Sequence, residues 1–304
     1  MTLKLQSLRY YSVESAKSLW NALVHDFPRI SCPHRNSLQY HCGQAIIPFF
    51  LLCAIVFVWT LPRSASDVTI IVITPTYKRL TQRADLTRQS QTLAHVKNLH
   101  WIVVEDGNST NPAVDRILQR SGIKYVYFAV EDHPNFNNTK GWTQRDYAMK
   151  YVRQHYSKAQ FSRTAVIYFA DDDNSYDLRL FDRFIRNVKT IGFWAVGLVG
   201  GALVETPRVE NGTLTGFNVV YAKTRKFATD MAGFAINLDI LLRNPDAAFM
   251  NGHGFIPEEC LLQQFNITLT ECQPFGYDDE PKEVLVWHTK TWGTGNGSDH
   301  GYVV

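Results

Sequence analysis

From residue 68 onward, short apolar runs alternate along the chain with stretches of helical spacing. Val68 to Ile73, His100 to Val104, Lys124 to Val130 and Ala165 to Ala170 are dominated by β-branched and aromatic residues with little polar alternation, as in strands buried on both sides of a sheet. Between them, Asp85 to Leu99 and Thr143 to Tyr156 repeat apolar residues at helical spacing, which predicts helices. A further helix is expected after residue 173, where Leu178, Leu180, Phe181, Phe184 and Ile185 are spaced at three and four. Strand and helix in alternation predict an α/β fold with a doubly wound sheet, and such sheets bind ligands at the carboxyl ends of their strands. Three of the four runs end in polar signatures: Thr74-Pro75-Thr76-Tyr77, Glu105-Asp106-Gly107 and Asp171-Asp172-Asp173. These ends are expected to converge on one crevice.

One run breaks this rhythm. From Ala45 to Leu61 the chain carries no charge, about 17 residues and the lower limit for crossing a bilayer. With 44 residues before it, the run sits too deep for a cleaved signal peptide and reads as a signal anchor. The predicted organisation is a cytoplasmic tail over 1–44, an anchor over 45–62, a stem over 63–67 and a luminal domain over 68–304. Five Asn-X-Ser/Thr triplets, at Asn108, Asn137, Asn211, Asn266 and Asn296, all follow the anchor and suit a domain in the secretory lumen. Of the five cysteines only Cys260 and Cys272 fall in that domain, where they either pair or remain separate buried thiols. The remaining composition is that of an ordinary globular protein, 45% hydrophobic and 19% charged. A net charge of +3, with Lys and Arg spread along the chain, argues against a nucleic acid partner.

The acidic run carries the chemistry. Three adjacent carboxylates repel one another unless positive charge sits among them. Capping the following helix needs only one acid. Three in succession at the mouth of a sheet crevice point to a hard divalent cation, because Mg²⁺ or Mn²⁺ prefers carboxylate oxygens and leaves positions for phosphate oxygens.

Six ordered blocks then identify a family resemblance. They are Ile73-Thr74-Pro75-Thr76-Tyr77, Val103-Val104-Glu105-Asp106, Tyr168-Phe169-Ala170-Asp171-Asp172-Asp173-Asn174, Val196-Gly197-Leu198-Val199-Gly200-Gly201, Asp230-Met231-Ala232-Gly233-Phe234-Ala235 and Leu285-Val286-Trp287-His288-Thr289. Across nearly all of 68–304 the chain resembles the animal β-1,3-glucuronosyltransferases of glycosyltransferase family 43, which are type II Golgi membrane proteins. The resemblance implies a GT-A-like nucleotide-sugar-binding sheet, with donor binding over about 68–174 and acceptor binding over about 175–304. It implies a Mn²⁺-dependent, inverting transfer of glucuronic acid from UDP-glucuronic acid to the 3-hydroxyl of a terminal β-galactose. The acceptor glycan is of the proteoglycan-linkage or the N-acetyllactosamine type, and a homodimer is expected.

The same resemblance assigns roles. Asp173 is the metal ligand, with Asp172 near the ribose and Asp171 toward the base or a positioning arginine. Tyr77 stacks on uracil, Asp106 accepts from its N–H, and Lys140, Arg145, His288 and Lys290 face the phosphates and the donor carboxylate. Lys140 and Lys290 stand where relatives carry arginine, which makes another UDP-sugar such as xylose the rival donor. Glu258 is the expected base, with Glu259 the fallback, and Glu205, Arg225 and Asp230 hold the acceptor galactose. Tyr221 falls where a tryptophan often stacks on the sugar. The stretch before Glu258 is one residue longer than the family pattern, which favours a rival outside enzymes: a glycan-binding or scaffolding relative without turnover. Taken residue by residue, each of these also has a plainer reading: a turn aromatic at Tyr77, an Asp-Gly turn at Asp106, and helix-start acids after Pro257.

Overall fold

A computed structural model describes residues 68–132, 141–156, 165–249 and 256–293, all within one compact unit spanning 63–304. The expected anchor and stem, and Lys140, Asn137 and Asn296, lie outside the described residues. No helix among the described residues is long and apolar enough to cross a membrane.

The elements run β1 (Thr69–Tyr77), α1 (Gln82–Leu93), β2 (Leu99–Asp106), α2 (Pro112–Ser121), β3 (Lys124–Val130), α3 (Trp142–His155) and β4 (Ala165–Phe169). They continue through β5 (Ser175–Tyr176), β6 (Ile191–Phe193), β7 (Val196–Val199), β8 (Ala202–Glu210), β9 (Thr213–Asn218) and β10 (Phe234–Asn237). The last are α4 (Leu238–Arg243), α5 (Pro257–Gln263), β11 (Gln273–Pro274) and β12 (Val286–Trp287).

β1 to β4 are parallel and lie in the order β4-β1-β2-β3. The chain builds outward from β1 to β3 and then returns to the other side of β1, so the direction of winding reverses between β1 and β4. Helices follow that reversal. Leu86 and Leu93 of α1 and Val114, Ile117 and Leu118 of α2 pack with Val72 and Trp101 on one face. On the other, Ala148, Met149 and Val152 of α3 pack with Ile71, Ile102 and Ile167. With both faces covered, β1 and β2 bury nearly every side chain, which is why they read as apolar runs rather than alternations. Reversal of winding leaves a crevice at the carboxyl ends of β1 and β4, where Thr74–Tyr77 and Asp171–Asp173 emerge.

Later chain completes this sheet. β10 joins β4 antiparallel, β6 joins β10, and β11 forms the far edge, giving seven strands in all. A second sheet of five strands, β5-β12-β7-β8-β9, was not apparent in the sequence pattern.

The predicted strands are present with adjusted ends. The first helix runs Gln82–Leu93 rather than 85–99, because Asn98 turns at φ +49° and Leu99 already pairs beside Ile70 in the sheet. Helix α2 was not foreseen, although its signals are in the sequence: Asn111 caps it by accepting from the Ala113 amide at 2.9 Å, Pro112 opens it, and Gly122 closes it at φ +68°. The helix expected through Leu178 to Ile185 is instead one π turn, Leu180–Phe184, followed by a 3₁₀ turn, Ile185–Asn187. Its four core residues Leu180, Phe181, Phe184 and Ile185 are nevertheless all buried. Cys260 and Cys272 are both free thiols. Asn108, Asn211 and Asn266 are exposed, the last two in turns with positive φ.

Candidate active site

The three carboxylates leave the sheet one residue beyond β4, where the Ala170 amide makes a last bond to the Ile73 carbonyl at 2.9 Å. Each then has a different environment. Asp172 is buried and gripped by Arg79, whose Nη1 donates to Oδ2 at 2.9 Å and whose Nη2 approaches Oδ1 at 2.8 Å. Thr76 Oγ1 also donates to Asp172 Oδ2, at 2.7 Å. Burial pushes the Asp172 carboxyl upward, and Arg79 and Thr76 oppose the shift. The same guanidinium reaches the fully buried Asp85 at 2.8 Å, so one cation serves two buried acids. Asp171 is ion-paired with the buried Arg145.

The Asp173 carboxylate has no hydrogen bond or ion pair among the described residues, although its backbone carbonyl accepts from Arg88 Nη2 at 2.8 Å and from Thr289 Oγ1 at 2.6 Å. Burial and the neighbouring Asp172 and Asp171 push its pKa up to about 6. An anchored backbone with one unmatched carboxylate suits a hard divalent cation, whose charge would relieve that repulsion. No group of three or more His, Cys, Asp or Glu side chains forms a metal cage among the described residues. A cation held at Asp173 would complete much of its shell from water and ligand oxygens, the habit of Mg²⁺ and ions like it.

Beside the carboxylates lies an exposed ledge. Tyr77 and Asp106 are direct register partners at the ends of β1 and β2, and both are exposed. Arg79 sits over the Tyr77 ring at 4.8 Å from its centroid, and Asp106 Oδ1 accepts from the Asp132 amide at 3.1 Å. Beneath the ledge, buried Glu105 accepts from Tyr127 Oη and from Gln82 Nε2 at 2.9 Å, and the same Gln82 amide donates to Thr76 Oγ1 at 3.1 Å. A hydrogen-bonded chain therefore ties the ledge to Asp172. Lys290 is exposed, with Nζ 4.9 Å from the ring centroid of Trp292.

A cavity of about 320 Å³ opens next to Asp171. It gathers eight of the side chains singled out from the sequence: Arg145, Asp171, Glu205, Tyr221, Arg225 and Asp230, together with Glu258 and His288. Pro257 starts α5 and places Glu258 on its first turn, facing the cavity. Burial, with a contribution from the Asp230 charge, pushes the Glu258 carboxyl up to about 7. Glu259 is engaged elsewhere: its Oε1 accepts from the Lys226 amide at 2.7 Å and from Gln263 Nε2 at 2.9 Å.

Asp230 caps a 3₁₀ turn through the Ala232 amide at 2.9 Å and presents Oδ2 to His288 Nδ1 at 3.3 Å. That hydrogen bond pushes the imidazole up to about 9, so His288 is a cation at neutral pH. Arg225 is positioned by carbonyls, donating to Ala222 and Tyr221 at 3.2 Å each. Glu205 is buried against Gly200, its Oε1 without a hydrogen bond among the described residues, and burial raises its pKa. Gly200 has φ +59°, and a Cβ there would collide with that carboxylate.

A second cavity, of about 500 Å³, lies where β1 and β4 begin and is lined by Arg186 and Arg243. Arg186 is bonded to Asp182 at 2.7 Å and to the Val68 carbonyl at 2.6 Å, and Arg243 pairs with Asp239. Its arginines are matched, and it contains none of the groups that ended the strands in polar signatures; the smaller cavity is the candidate active site.

Sequence reasoning missed Arg79, Gln82, Glu105 and Trp142, the last of which lines the cavity beside Arg145. Arg79 had a usable signal, because a cation two residues past Tyr77 emerges at the strand end where the acids need one.

Residues 89–292 match the family model "Glycosyltransferase family 43". The chain is 39% identical over 249 residues to human galactosylgalactosylxylosylprotein 3-beta-glucuronosyltransferase 1, covering 77% of this chain and 73% of the relative. It is 41% identical over 244 residues to the Caenorhabditis elegans enzyme of that name, sqv-8, covering 76% and 67%. Among solved structures, residues 1–349 of S. aureus TarS align with a TM-score of 0.46 at 14% identity, over 73% of this chain and 60% of that one. The chain belongs to glycosyltransferase family 43.

Proposed function

We propose that this glycosyltransferase moves glucuronic acid from UDP-glucuronic acid to the 3-hydroxyl of a terminal β-galactose, with inversion at the anomeric carbon. The observation that carries the reading is Glu258, a carboxyl with a pKa near 7 sharing one cavity with the Asp171–Arg145 and Asp230–His288 pairs. The names of the human and nematode relatives support the same chemistry.

Uridine would lie on the Tyr77–Asp106 ledge and the diphosphate between the acidic run and His288. Asp173 would hold Mn²⁺, which when bound neutralises charge on the departing diphosphate as a Lewis acid. Arg145 and the His288 imidazolium supply fixed positive charge on the same side, and Asp172 is kept in place by Arg79. On the acceptor side, Glu205, Arg225 and Asp230 would orient the galactose so that its 3-hydroxyl meets Glu258. Glu258 takes the hydroxyl proton as the oxygen attacks the anomeric carbon and the bond to the diphosphate breaks. A single displacement of this kind inverts configuration. The charge-free run 45–61 would anchor the chain as a single-pass type II protein, with residues 68–304 in the Golgi lumen, as a homodimer.

The test incubates the enzyme with UDP-glucuronic acid, Mn²⁺ and two acceptors, galactose-galactose-xylose and N-acetyllactosamine, and reads product by mass. A product 176 Da heavier than acceptor, about the mass of one glucuronic acid residue added by condensation, is expected, and it should vanish with EDTA and in Glu258→Gln. Product from UDP-xylose but not from UDP-glucuronic acid would overturn the donor assignment.

A further inference from the structure

Helix α1 covers one face of the sheet, yet the side it turns inward is partly polar. Leu86 and Leu93 reach the core, and Gln82, Asp85 and Gln89 are buried with them, at the three- and four-residue spacing that puts side chains on one helix face. Buried polar groups cost stability unless each finds a partner. All three find theirs at the strand ends that carry the acidic run. Asp85 holds Arg79 at 2.8 Å, the cation that grips Asp172. Gln89 Nε2 donates to Thr74 Oγ1 at 3.1 Å and to the Ala170 carbonyl at 3.2 Å, one residue before Asp171. Gln82 Nε2 donates to Thr76 Oγ1 at 3.1 Å and to Glu105 Oε1 at 2.9 Å.

The Gln82 contacts have one polarity. Glu105, as a carboxylate, only accepts: from Tyr127 Oη, which itself accepts from the Asn111 amide at 2.9 Å, and from Gln82, whose amide nitrogen rather than oxygen must therefore face it. That nitrogen has only protons to offer, so Thr76 Oγ1 accepts from it and the Thr76 proton is left for Asp172 Oδ2, at 2.7 Å. Donors thus run in one order from the Gln82 amide through the Thr76 hydroxyl to the Asp172 carboxylate. A threonine hydroxyl without that constraint rotates to suit whichever acceptor is near. Asp85 acts on Asp172 through a full cation, and Gln89 bonds a hydroxyl and main chain. Gln82 instead sets the direction of a single neutral hydrogen bond to a carboxylate of the run.

We propose that Gln82 is a positioning residue of the donor site, orienting Thr76 so that Asp172 is held at the angle in which it meets the nucleotide. The inference rests on the donor end of the proposed reaction. It adds to that reading a residue that acts from beneath the site, 1% exposed and one side chain removed from Asp172.

The experiment measures binding of UDP with Mn²⁺ by calorimetry to the full-length chain in lipid nanodiscs, for wild type, Gln82→Met, Thr76→Val and the double variant, with Tm recorded for each. Each single change is expected to weaken binding by about tenfold or more, the usual cost of removing an outer group that orients a ligating side chain. The double variant should bind no more weakly than Thr76→Val, because two residues acting in series lose one interaction between them. The KM for the nucleotide sugar should rise in step while that for the acceptor does not move. Where Gln82→Met alone fails to fold because Glu105 loses a donor, Gln82→Met with Glu105→Gln removes the buried charge along with its partner and takes its place in the cycle. A folded Gln82→Met protein that binds UDP as the wild type does, with only Tm lowered, makes Gln82 a structural residue and overturns the proposal. Losses that multiply in the double variant overturn it as well, since Gln82 then acts by a route other than Thr76. Absence of UDP binding in the wild type removes the donor reading itself, an outcome seen before any variant is made.

Discussion

Replacing Glu258 by glutamine removes the proposed proton acceptor while keeping the shape of the side chain, and its expected effect is calculable. The carboxyl lines the cavity at the start of α5, and burial lifts it to about 7. The Asp230 charge contributes to that rise, and Arg145 and Arg225 oppose it. A general base acts only when ionised, so raising its pKa places the loss of activity on the acid side. With a pKa near 7, about one carboxyl in eleven is ionised at pH 6 and about ten in eleven at pH 8. The plot of kcat/KM for the wild type should therefore fall about tenfold per pH unit below 7, and that limb reports the free enzyme. Glu258→Gln should lower kcat by about 10²–10⁴-fold and abolish the limb. Asp230→Asn, whatever it does to acceptor binding, should move the limb to lower pH, because it removes a negative charge that favours the protonated form. The assay is initial-rate product formation, by mass, across pH 5 to about 9. A Glu258→Gln enzyme within about tenfold of wild type, or one that keeps an acid limb near pH 7, would refute the assignment and transfer the limb to another group such as Asp173, lifted to about 6.

Three further outcomes follow from the same geometry. Asp173→Asn should weaken binding of Mn²⁺ with UDP by about 10–100-fold or more in calorimetry, since the unpaired carboxylate is the candidate ligand; unchanged binding would place the cation elsewhere. Arg79→Met strips the cation from buried Asp85 and Asp172 and should cost about 3–5 kcal/mol, lowering Tm by roughly 10 °C in a scan of the folded enzyme. Cys272 is buried, its Sγ donates to the Thr268 carbonyl at 3.3 Å and its pKa is pushed up to about 12, so it should resist thiol reagents until the protein is unfolded, with labelling followed by mass.

The parts of the fold legible in the sequence are those in which local pattern and tertiary burial agree. β1, β2 and β4 are covered on both faces, so their apolar runs have one reading, and the reversal at β1 follows from helices alternating with them. Short strands of the second sheet carry no such signal. β12 has two residues and β7 has four, and their pairing is decided by chain far away, such as the Trp287 ring lying where Gly197 has no side chain. The π turn at Leu180 shows the converse: spacing at three and four identified the buried face correctly but not the backbone that presents it. Site residues were legible as ordered motif blocks. Their convergence was not, because Glu205, Glu258 and His288 come from a strand, a helix start and the chain beyond β12, and only the folded chain brings them to one cavity.

The unequal treatment of the three carboxylates is the step that joins fold to chemistry. Two of them are matched by arginines from opposite sides of the sheet's winding: Arg79 from the β1–α1 connection holds Asp172, and Arg145 from α3 holds Asp171. Both arginines sit where they do because the chain turns back at β1, which brings the loop after β1 and the start of α3 to the same crevice. Had a third arginine reached Asp173, the run would be electrically satisfied and would hold no further cation. Instead Arg88 and Thr289 bond the Asp173 carbonyl, fixing the backbone while the carboxylate stays unpaired. On the proposed reading, a site built this way would draw a divalent ion toward one oxygen pair and would leave most of its shell open to the donor diphosphate. The consequence is testable in the direction opposite to loss. Giving Asp173 a permanent partner by Thr289→Arg should depress its pKa, reduce its demand for a cation and raise the Mn²⁺ concentration needed for half-maximal activity, with the change read from metal titrations at fixed donor. An unchanged metal requirement in a folded Thr289→Arg enzyme would show that the unpaired carboxylate is not what attracts the ion.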